Sequence, residues 1–572
     1  MTPSEWNKHR YSGFIKTFFN NRGISDDLIE TYLRKDVTLH DSYLLKDMDR
    51  AVACVQSHID KGSKIVVFGD YDVDGITSSA LLALCLPMFT TKVIIPNRAD
   101  GYGFSVDYAN YINVNDFNLL ICVDNGSIAV SAMKHVRGDI DIVVLDHHTV
   151  SNLNHSVLPL PNVKALVNPQ RPDCSYPNKS LCACAVAFKF ISCLRDVDAA
   201  IKTSYAYQLT ALATVADVMD LKNLENRYIV NEGINQMIHG NRLPFIDGIL
   251  SAKNLKPASI NVETLGFTIA PIINAVSRMN DVALAYELVS SPSVIRARSL
   301  AIKANQINDE RKKTQASFSK DVTVELNLSG FDETSVLPRA IFARVDCKHG
   351  LLGVISAQIA RQYKRPVFVY TPDGDGKLVG SARYSSGTSI NLHDVVSKAS
   401  SSIERFGGHR GAVGFTIRAD KEKDFQRAIE SELEAIGYVP ELKTPVVVDF
   451  RMDLVDINHE LFEVLRALSP YGADSFRAPI FEARRLWVDR SSIYTFAGSH
   501  LKFYVLDDYS NVRQVLAWGK ADLSSSIIDM SDAPVNIIYR VDSESFSDEM
   551  NVFASDKIIM EGIYASETTV TI

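Results

Sequence analysis

Aspartate and histidine recur in four short clusters within the first 220 residues: GDYDVDG (Gly69 to Gly75), VDNG (Val123 to Gly126), LDHH (Leu145 to His148) and TVADV (Thr214 to Val218). Carboxylates mixed with imidazoles suit manganese, magnesium or iron better than a closed thiolate zinc site does. Asp72, Asp74, Asp124, His147 and Asp217 are more ligands than one ion needs. A pair of ions sharing a bridging carboxylate fits that number, and two ions ~3.5–4 Å apart can activate a water and stabilise the leaving oxygen of a phosphoryl transfer. Asp70 and Asp146 have two readings, as further members of the site or as caps of turns and helix starts.

The first three clusters each follow a short apolar run, KIVVF, NLLICV and DIVVL. Such runs predict buried parallel strands. The candidate ligands then stand just past strand C-terminal ends, where open α/β sheets bind their ligands. If DYD continues the strand, Asp72 and Asp74 share a face, and Gly75 allows a tight turn into the helix ITSSALLALCL. Residues 51–220 alternate strand-like and helix-like runs, the pattern of a doubly wound parallel sheet.

A chain of 572 residues is too long for one core and should hold about three or four domains. The pattern divides it into a helical leader (1–50), a catalytic α/β domain (51–290), a long charged connector helix expected to be solvated (291–325), a second α/β domain (326–440) and a strand-rich β-barrel (441–572). Hydrophobic content of 46% with 22% charged residues is ordinary for a globular protein. No apolar run nears the ~20 residues that cross a bilayer, and MTPSEWNKHR has no signal-peptide core. The expected location is the cytoplasm. A net charge of −8 argues against whole-surface binding to nucleic acid but not against a basic groove. Cys174, Cys182, Cys184 and Cys193 fall within twenty residues but form no CxxC pair, so small buried helix residues are expected rather than zinc ligands.

These clusters resemble the DHH phosphoesterase superfamily, whose triplet stands here as Asp146, His147 and His148. The resemblance implies a metal-dependent phosphoesterase holding two divalent ions, manganese foremost with magnesium as the alternative. Asp72 would hold one ion and Asp74 the other. Asp124 would bridge both, His147 and Asp217 would complete the shell of the second ion, and His148 would face the scissile phosphate. Many members carry a histidine four residues before the first aspartate of the pair; Phe68 stands there, and Asp70 is the expected substitute ligand.

The likeness extends to the RecJ branch over nearly the whole chain. PNRADGYGFS (Pro96 to Ser105), PIINAVSRM (Pro271 to Met279), GSARYSSG (Gly380 to Gly387), FGGHRGAVGF (Phe406 to Phe415) and LSPYGAD (Leu468 to Asp474) carry it. It implies a DHH domain, a DHH-associated nucleic-acid-binding domain joined by a long helix, and a C-terminal OB-fold. Arg98, Tyr102, Arg278, Ser381, Arg383 and His409 become the expected substrate-binding residues, with Arg98, Ser381 and Arg383 on a 5′-terminal phosphate. The residues themselves point the same way: if that run is extended, Ser381 and Arg383, two apart, share one face, and the glycine pair before His409 lets backbone N–H groups approach an anion. LCACAVAFK (Leu181 to Lys189) lacks the expected glycines, Val276 and Ser277 replace smaller residues, and Arg410 adds charge.

The implied activity is a 5′-to-3′ exonuclease on single-stranded DNA, releasing 5′-mononucleotides in recombination and repair. A single-stranded-DNA-binding protein or a helicase is an expected partner, and the chain is expected to be monomeric and free of membranes. Two alternatives stay open, a phosphodiesterase for short oligonucleotides or cyclic dinucleotides and an inactive replication scaffold. Among the barrel aromatics Trp487, Tyr494, Phe496 and Phe503, core placement is the expectation.

Overall fold

A computed structural model describes the chain apart from residues 1, 36, 102, 151–158, 326–337, 385–389, 441–445, 473–475, 542–556 and 566–572, and apart from the side chains of Ala99, Thr323, Val324, Glu325 and His409. It divides into two compact units, one of residues 41–217 with 235–444, the other of 1–40 with 218–234 and 445–572.

In the first unit the three apolar runs form β1 (Ile65–Phe68), β3 (Leu119–Val123) and β4 (Asp141–Leu145). With β2 (Thr91–Ile94) and β5 (Ala165–Val167) they make an all-parallel sheet in the order β2-β1-β3-β4-β5. The order turns around at β1, which has β2 on one side and β3 on the other, so a crevice opens past their C-terminal ends. Every residue of β1 and β3 is buried, as a sheet covered on both faces requires. One face packs Val66, Phe68, Cys122 and Val144 against Phe104, Ala109 and Ile112. Helices α1 (Met48–Asp60), α2 (Val73–Cys85), α3 (Ala183–Cys193), α4 (Ala206–Ala216) and α5 (Ala270–Arg278) complete this part.

The connector is one helix, α6 (Val294–Glu325), but it is not solvated all round. Ala297, Ala301, Ala304, Asn308, Ser319 and Val322 are buried at spacings that return to one face. The residues are small, so the stripe has little hydropathy yet permits close approach: a Cβ at Gly248 would lie 2.8 Å from the Ala297 carbonyl oxygen. Beyond it, β6 (Ile341–Arg344), β7 (Val367–Pro372), β8 (Lys377–Arg383), β9 (Ile403–His409) and β10 (Ala412–Arg418) form a mixed sheet in the order β6-β7-β8-β10-β9. Helix α7 (His349–Tyr363) packs on β7 and β8.

In the second unit, β11 (Phe450–Arg451) leads into β12 (Phe481–Phe496), β13 (His500–Leu506), β14 (Val512–Ala517), β15 (Val535–Val541) and β16 (Lys557–Ala565). Pairing of β12 with both β13 and β15 closes a five-stranded barrel, the OB-fold. The helix Ser12–Asn20 belongs to the same core, Phe14 meeting Phe481 at 5.2 Å and Phe18 meeting Phe476 at 5.4 Å between ring centroids. Phe503 is fully buried, as expected of a barrel aromatic, but Trp487 and Tyr494 stand on the surface at 38% and 57% exposure. A bulge between Ala483 and Leu486, with Arg485 at φ 55°, shifts the in–out alternation of β12 and turns Trp487 outward. Among the described residues no helix is long and apolar enough to cross a membrane.

Candidate active site

The carboxylates are set by the backbone that follows each strand. Asp72 does not continue β1 as an extended run toward Asp74. It is the N-cap of α2, its Oδ1 accepting the Gly75 N–H at 3.1 Å. Asp74 therefore stands in the first helical turn. Gly75 serves a close approach, since a Cβ there would lie 2.4 Å from the Asp70 carbonyl oxygen. Asp74 in turn reaches the start of α3, accepting the N–H groups of Ala183 at 2.6 Å and Cys184 at 2.8 Å. A carboxylate at a helix N-terminus satisfies donors that the helix itself leaves free. Alanine and cysteine are small enough to allow it, which accounts for LCACAVAFK keeping its packing without glycine. Cys182 and Cys184 lie against the hydroxyls of Thr214 and Thr210, at 3.5 and 3.6 Å, as packing residues.

Asp124 adopts φ +62°, a conformation uncommon outside glycine and enriched at functional sites. Asp217 caps the end of α4, and Val218 after it has φ +55°, rarer still for a β-branched residue. These turns gather two groups of ligand atoms. In the first, His147 Nε2 lies 3.2 Å from Asp124 Oδ1, 3.6 Å from Asp74 Oδ2 and 3.6 Å from Asp217 Oδ2. The second is Asp70, Asp72 and Asp124, whose ligand atoms lie within 4.8 Å of one another. Asp124 touches both groups.

This much buried negative charge is unstable without a cation. Burial, and then the charge of Asp72, push the Asp70 carboxyl well above its ordinary range and lift Asp74 to about 7. Burial with Asp74 does the same at Asp124, and lifts Asp217 to about 8. Oδ1 of Asp70 and of Asp124 are buried without a well-aligned hydrogen-bond donor. A donor set of carboxylates and one imidazole, with orphaned oxygens, fits divalent cations with oxygen preference.

Asp146 has another task. Its Oδ1 accepts His148 Nδ1 at 2.8 Å and the backbone N–H groups of His147 and His148 at 2.8 and 3.2 Å, while Oδ2 accepts the Ser127 N–H at 3.0 Å. Burial opposes its charge, but the His148 imidazolium and these donors hold it well below the usual carboxylate range. His148 loses by burial and gains more from Asp146, ending at about 9. Phe68 is fully buried, its ring 5.1 Å from Phe104 and 4.8 Å from Tyr108, so this position builds core; Asp70 is the oxygen that joins the ligand group.

A second, cationic cluster borders the first. The Arg98 guanidinium lies over the Tyr71 ring at 4.1 Å and donates from Nε to Ser277 Oγ at 3.1 Å. Arg278 donates to the Gly350 carbonyl at 3.2 Å, and Arg383 donates to Ser381 Oγ at 2.7 Å. Burial, then the charges of Arg98, Arg383 and Arg311, lower Arg278 to about 9; burial, then Arg98, lower Arg383 to about 10. Three mutually repelling, partly buried guanidinium groups call for an anion. The cluster is electrostatically coupled to the carboxylates, Arg98 acting on Asp70 and Asp72 on Arg278. Gly350 and Gly353 make room for it, since a Cβ at Gly350 would lie 2.3 Å from the Arg278 carbonyl oxygen and one at Gly353 2.7 Å from an Arg383 nitrogen. The expected Tyr102 and the His409 side chain lie outside the described residues; the backbone of Gly408, at φ +144°, runs against Ala412 in β10.

Tyr71, Ser277 and Arg311 join this cluster without having been expected from the sequence. Tyr71 sits between two aspartates, and Ser277 counted as a departure from the expected small residue. Arg311 gave no signal on a helix expected to be solvated.

Three family models match the chain: the DHH family, N-terminal domain over residues 64–216, the DHHA1 domain over 338–435 and the RecJ OB domain over 448–553. The chain thus carries a DHH domain, a DHHA1 domain and a RecJ OB domain, and over most of its length it is similar to RecJ. The single-stranded-DNA-specific exonuclease RecJ of Bacillus subtilis is 28% identical over 504 residues, 86% of this chain; the match spans 61% of that longer protein. The protein of the same name from Salmonella typhimurium is 29% identical over 462 residues, covering 77% of this chain and 78% of its own length. The crystal structure of RecJ in complex with Mn2+ from Thermus thermophilus shares the fold, with a TM-score of 0.76 at 20% identity over 99% of this chain and 78% of that one.

Proposed function

We propose that the chain is a metal-dependent 5′-to-3′ exonuclease that hydrolyses single-stranded DNA to 5′-mononucleotides, acting in recombination and repair. The observation that carries this reading is Asp124, common to two ligand groups, with the Arg98, Arg278 and Arg383 cluster coupled to the same carboxylates. Asp70 and Asp72 would hold one of two ions and Asp74, His147 and Asp217 the other, manganese being preferred, and Asp124 would serve both. Bound ions supply the Lewis acidity that makes water a nucleophile near neutral pH and offsets charge at phosphoryl oxygens. Asp146 fixes His148 through Nδ1, leaving the other ring nitrogen to donate to a phosphate oxygen. Arg98, Arg383 and Ser381 grip the 5′-terminal phosphate, so the phosphodiester next to it is the one presented to the carboxylates. The relatives named for single-stranded DNA exonuclease activity support the substrate class. The exposed Trp487 and Tyr494 of the barrel offer stacking surfaces to a single strand.

The test is a time course on 5′-labelled single strand with and without manganese. The reading expects labelled mononucleotide as the earliest product, only with metal. Shortening from the 3′ end, or turnover unchanged by chelator, would overturn it.

A further inference from the structure

A further cluster of side chains able to ligate a metal lies at the opposite end of the parallel sheet from the carboxylates. Cys54 and His58 are four apart on α1 and so share one face of that helix. Asp141 opens β4, at the strand end away from His147. Asp141 Oδ2 lies 3.2 Å from His58 Nε2 and 3.9 Å from Cys54 Sγ, and the three ligand atoms lie within 4.8 Å of one another. A tetrahedral zinc with ordinary bond lengths separates nitrogen from oxygen by about 3.3 Å and sulfur from oxygen by about 3.6 Å. The observed spacings bracket those values before any ligand moves.

We propose that Cys54, His58 and Asp141 form a zinc site, with a water as fourth ligand, that fastens α1 to the start of β4. Thiolate, imidazole and carboxylate together select zinc over the harder ions suited to the carboxylate groups above. The fourth position has an outlet, because the Asp141 side chain is 31% exposed and that of His58 13%. Lys164 Nζ engages the other carboxylate oxygen, Oδ1, at 3.3 Å, which leaves Oδ2 to the ion and fixes the plane of the carboxylate. Binding releases the Cys54 thiol proton to water, so the bound site of Zn2+, thiolate and carboxylate is neutral overall. This group differs from the cysteines crowded between residues 174 and 193, two of which lie against threonine hydroxyls.

The probe is cobalt(II), which takes zinc sites and shows a thiolate-to-metal charge-transfer band only when sulfur is a ligand. The carboxylate groups of the candidate active site contain no cysteine, so the band reports this site even when both are loaded. The full chain, stripped of metal and titrated with cobalt until every site is filled, should develop the band to a limit of one thiolate-bound cobalt per chain, and zinc should abolish it by displacement. Asp124→Ala should leave the band intact. Cys54→Ser should remove it, and bound zinc measured by elemental analysis should fall by one per chain. Asp141→Asn, which keeps the helix face untouched, should weaken cobalt affinity at least about tenfold and serves if Cys54→Ser does not fold. A loaded chain without the band, a band that survives Cys54→Ser, or a cobalt affinity unmoved by Asp141→Asn would overturn the site.

Discussion

Fully buried Asp146 and half-buried His148 form a pair in which Oδ1 lies 2.8 Å from Nδ1, and the carboxylate raises the imidazole pKa to about 9. The carboxylate thereby acts through the histidine. Asp146→Asn keeps the size of the side chain but cannot carry the charge, and it leaves His148 free to turn. Turnover of single-stranded DNA at saturating manganese should fall about 10- to 100-fold, with KM for DNA nearly unchanged, as with other groups that orient a working histidine. Steady-state kinetics on a 5′-labelled strand measures both. An equal rise in KM would place His148 in ground-state binding instead.

Asp124 stands in both ligand groups, so its removal should disable both at once. Asp124→Ala should reduce hydrolysis at least about a hundredfold, a barrier increase of about 3 kcal/mol. DNA affinity should stay within a few-fold of wild type, because phosphate contacts from cationic side chains dominate it. Gel-shift titration beside the activity assay separates the two effects, and more than about a hundredth of wild-type activity in saturating manganese would rule out a shared role.

The strand ends were legible in the sequence because a run such as IVVF buried on both faces has no other use, and ligands after it fall where parallel sheets bind. Other features depend on contacts distant along the chain. Asp74 looks like half of an Asp-x-Asp pair, yet its carboxylate is fixed by N–H groups of Ala183 and Cys184, which no local pattern announces. The burial of α6 was hidden because Ala, Asn and Ser lend a buried stripe little hydropathy. In β12 the alternation that starts at Phe481 and Ala483 would point Trp487 inward; one bulged residue reverses it, and bulges carry no reliable signature at an arginine.

The second unit rests on a buried ion pair. Asp449 accepts Arg22 Nη1 at 2.9 Å and Arg477 Nη1 at 3.1 Å, and the Arg22 guanidinium lies 3.7 Å from the Phe18 ring centroid. Asp449→Ala leaves the Arg22 charge without its carboxylate, in a side chain only 4% exposed. Denaturant unfolding at neutral pH should show a loss of about 3–5 kcal/mol. Burial raises the Asp449 pKa, but Arg22 outweighs it and holds the folded value below the usual range. The pair's contribution is therefore present above the unfolded pKa of about 3.9 and is lost as pH falls through the lower folded value. The gap between wild type and variant should close over that acid interval, and a gap independent of pH would deny the pair this role.

The arginine cluster should set polarity. Arg383 and Ser381 lie two apart on β8, joined by a 2.7 Å hydrogen bond, and Arg98 is the like charge that acts on Arg383. A terminal phosphate there gains charge-assisted bonds that a continuing chain, with one oxygen esterified onward, makes less well. Arg383→Ala should therefore slow turnover of 5′-phosphorylated strand about 10- to 100-fold, the worth of one charged hydrogen bond at ~1.5–3 kcal/mol, and slow 5′-hydroxyl strand far less. Gly353→Ala gives an independent check, since its Cβ would lie 2.7 Å from an Arg383 nitrogen and must displace that guanidinium. It should act in the same direction and more weakly, because arginine can swing while the lost contact is partly regained. Both enzymes are compared on both strand ends, and equal losses on phosphate and hydroxyl would remove Arg383 from the terminal-phosphate pocket.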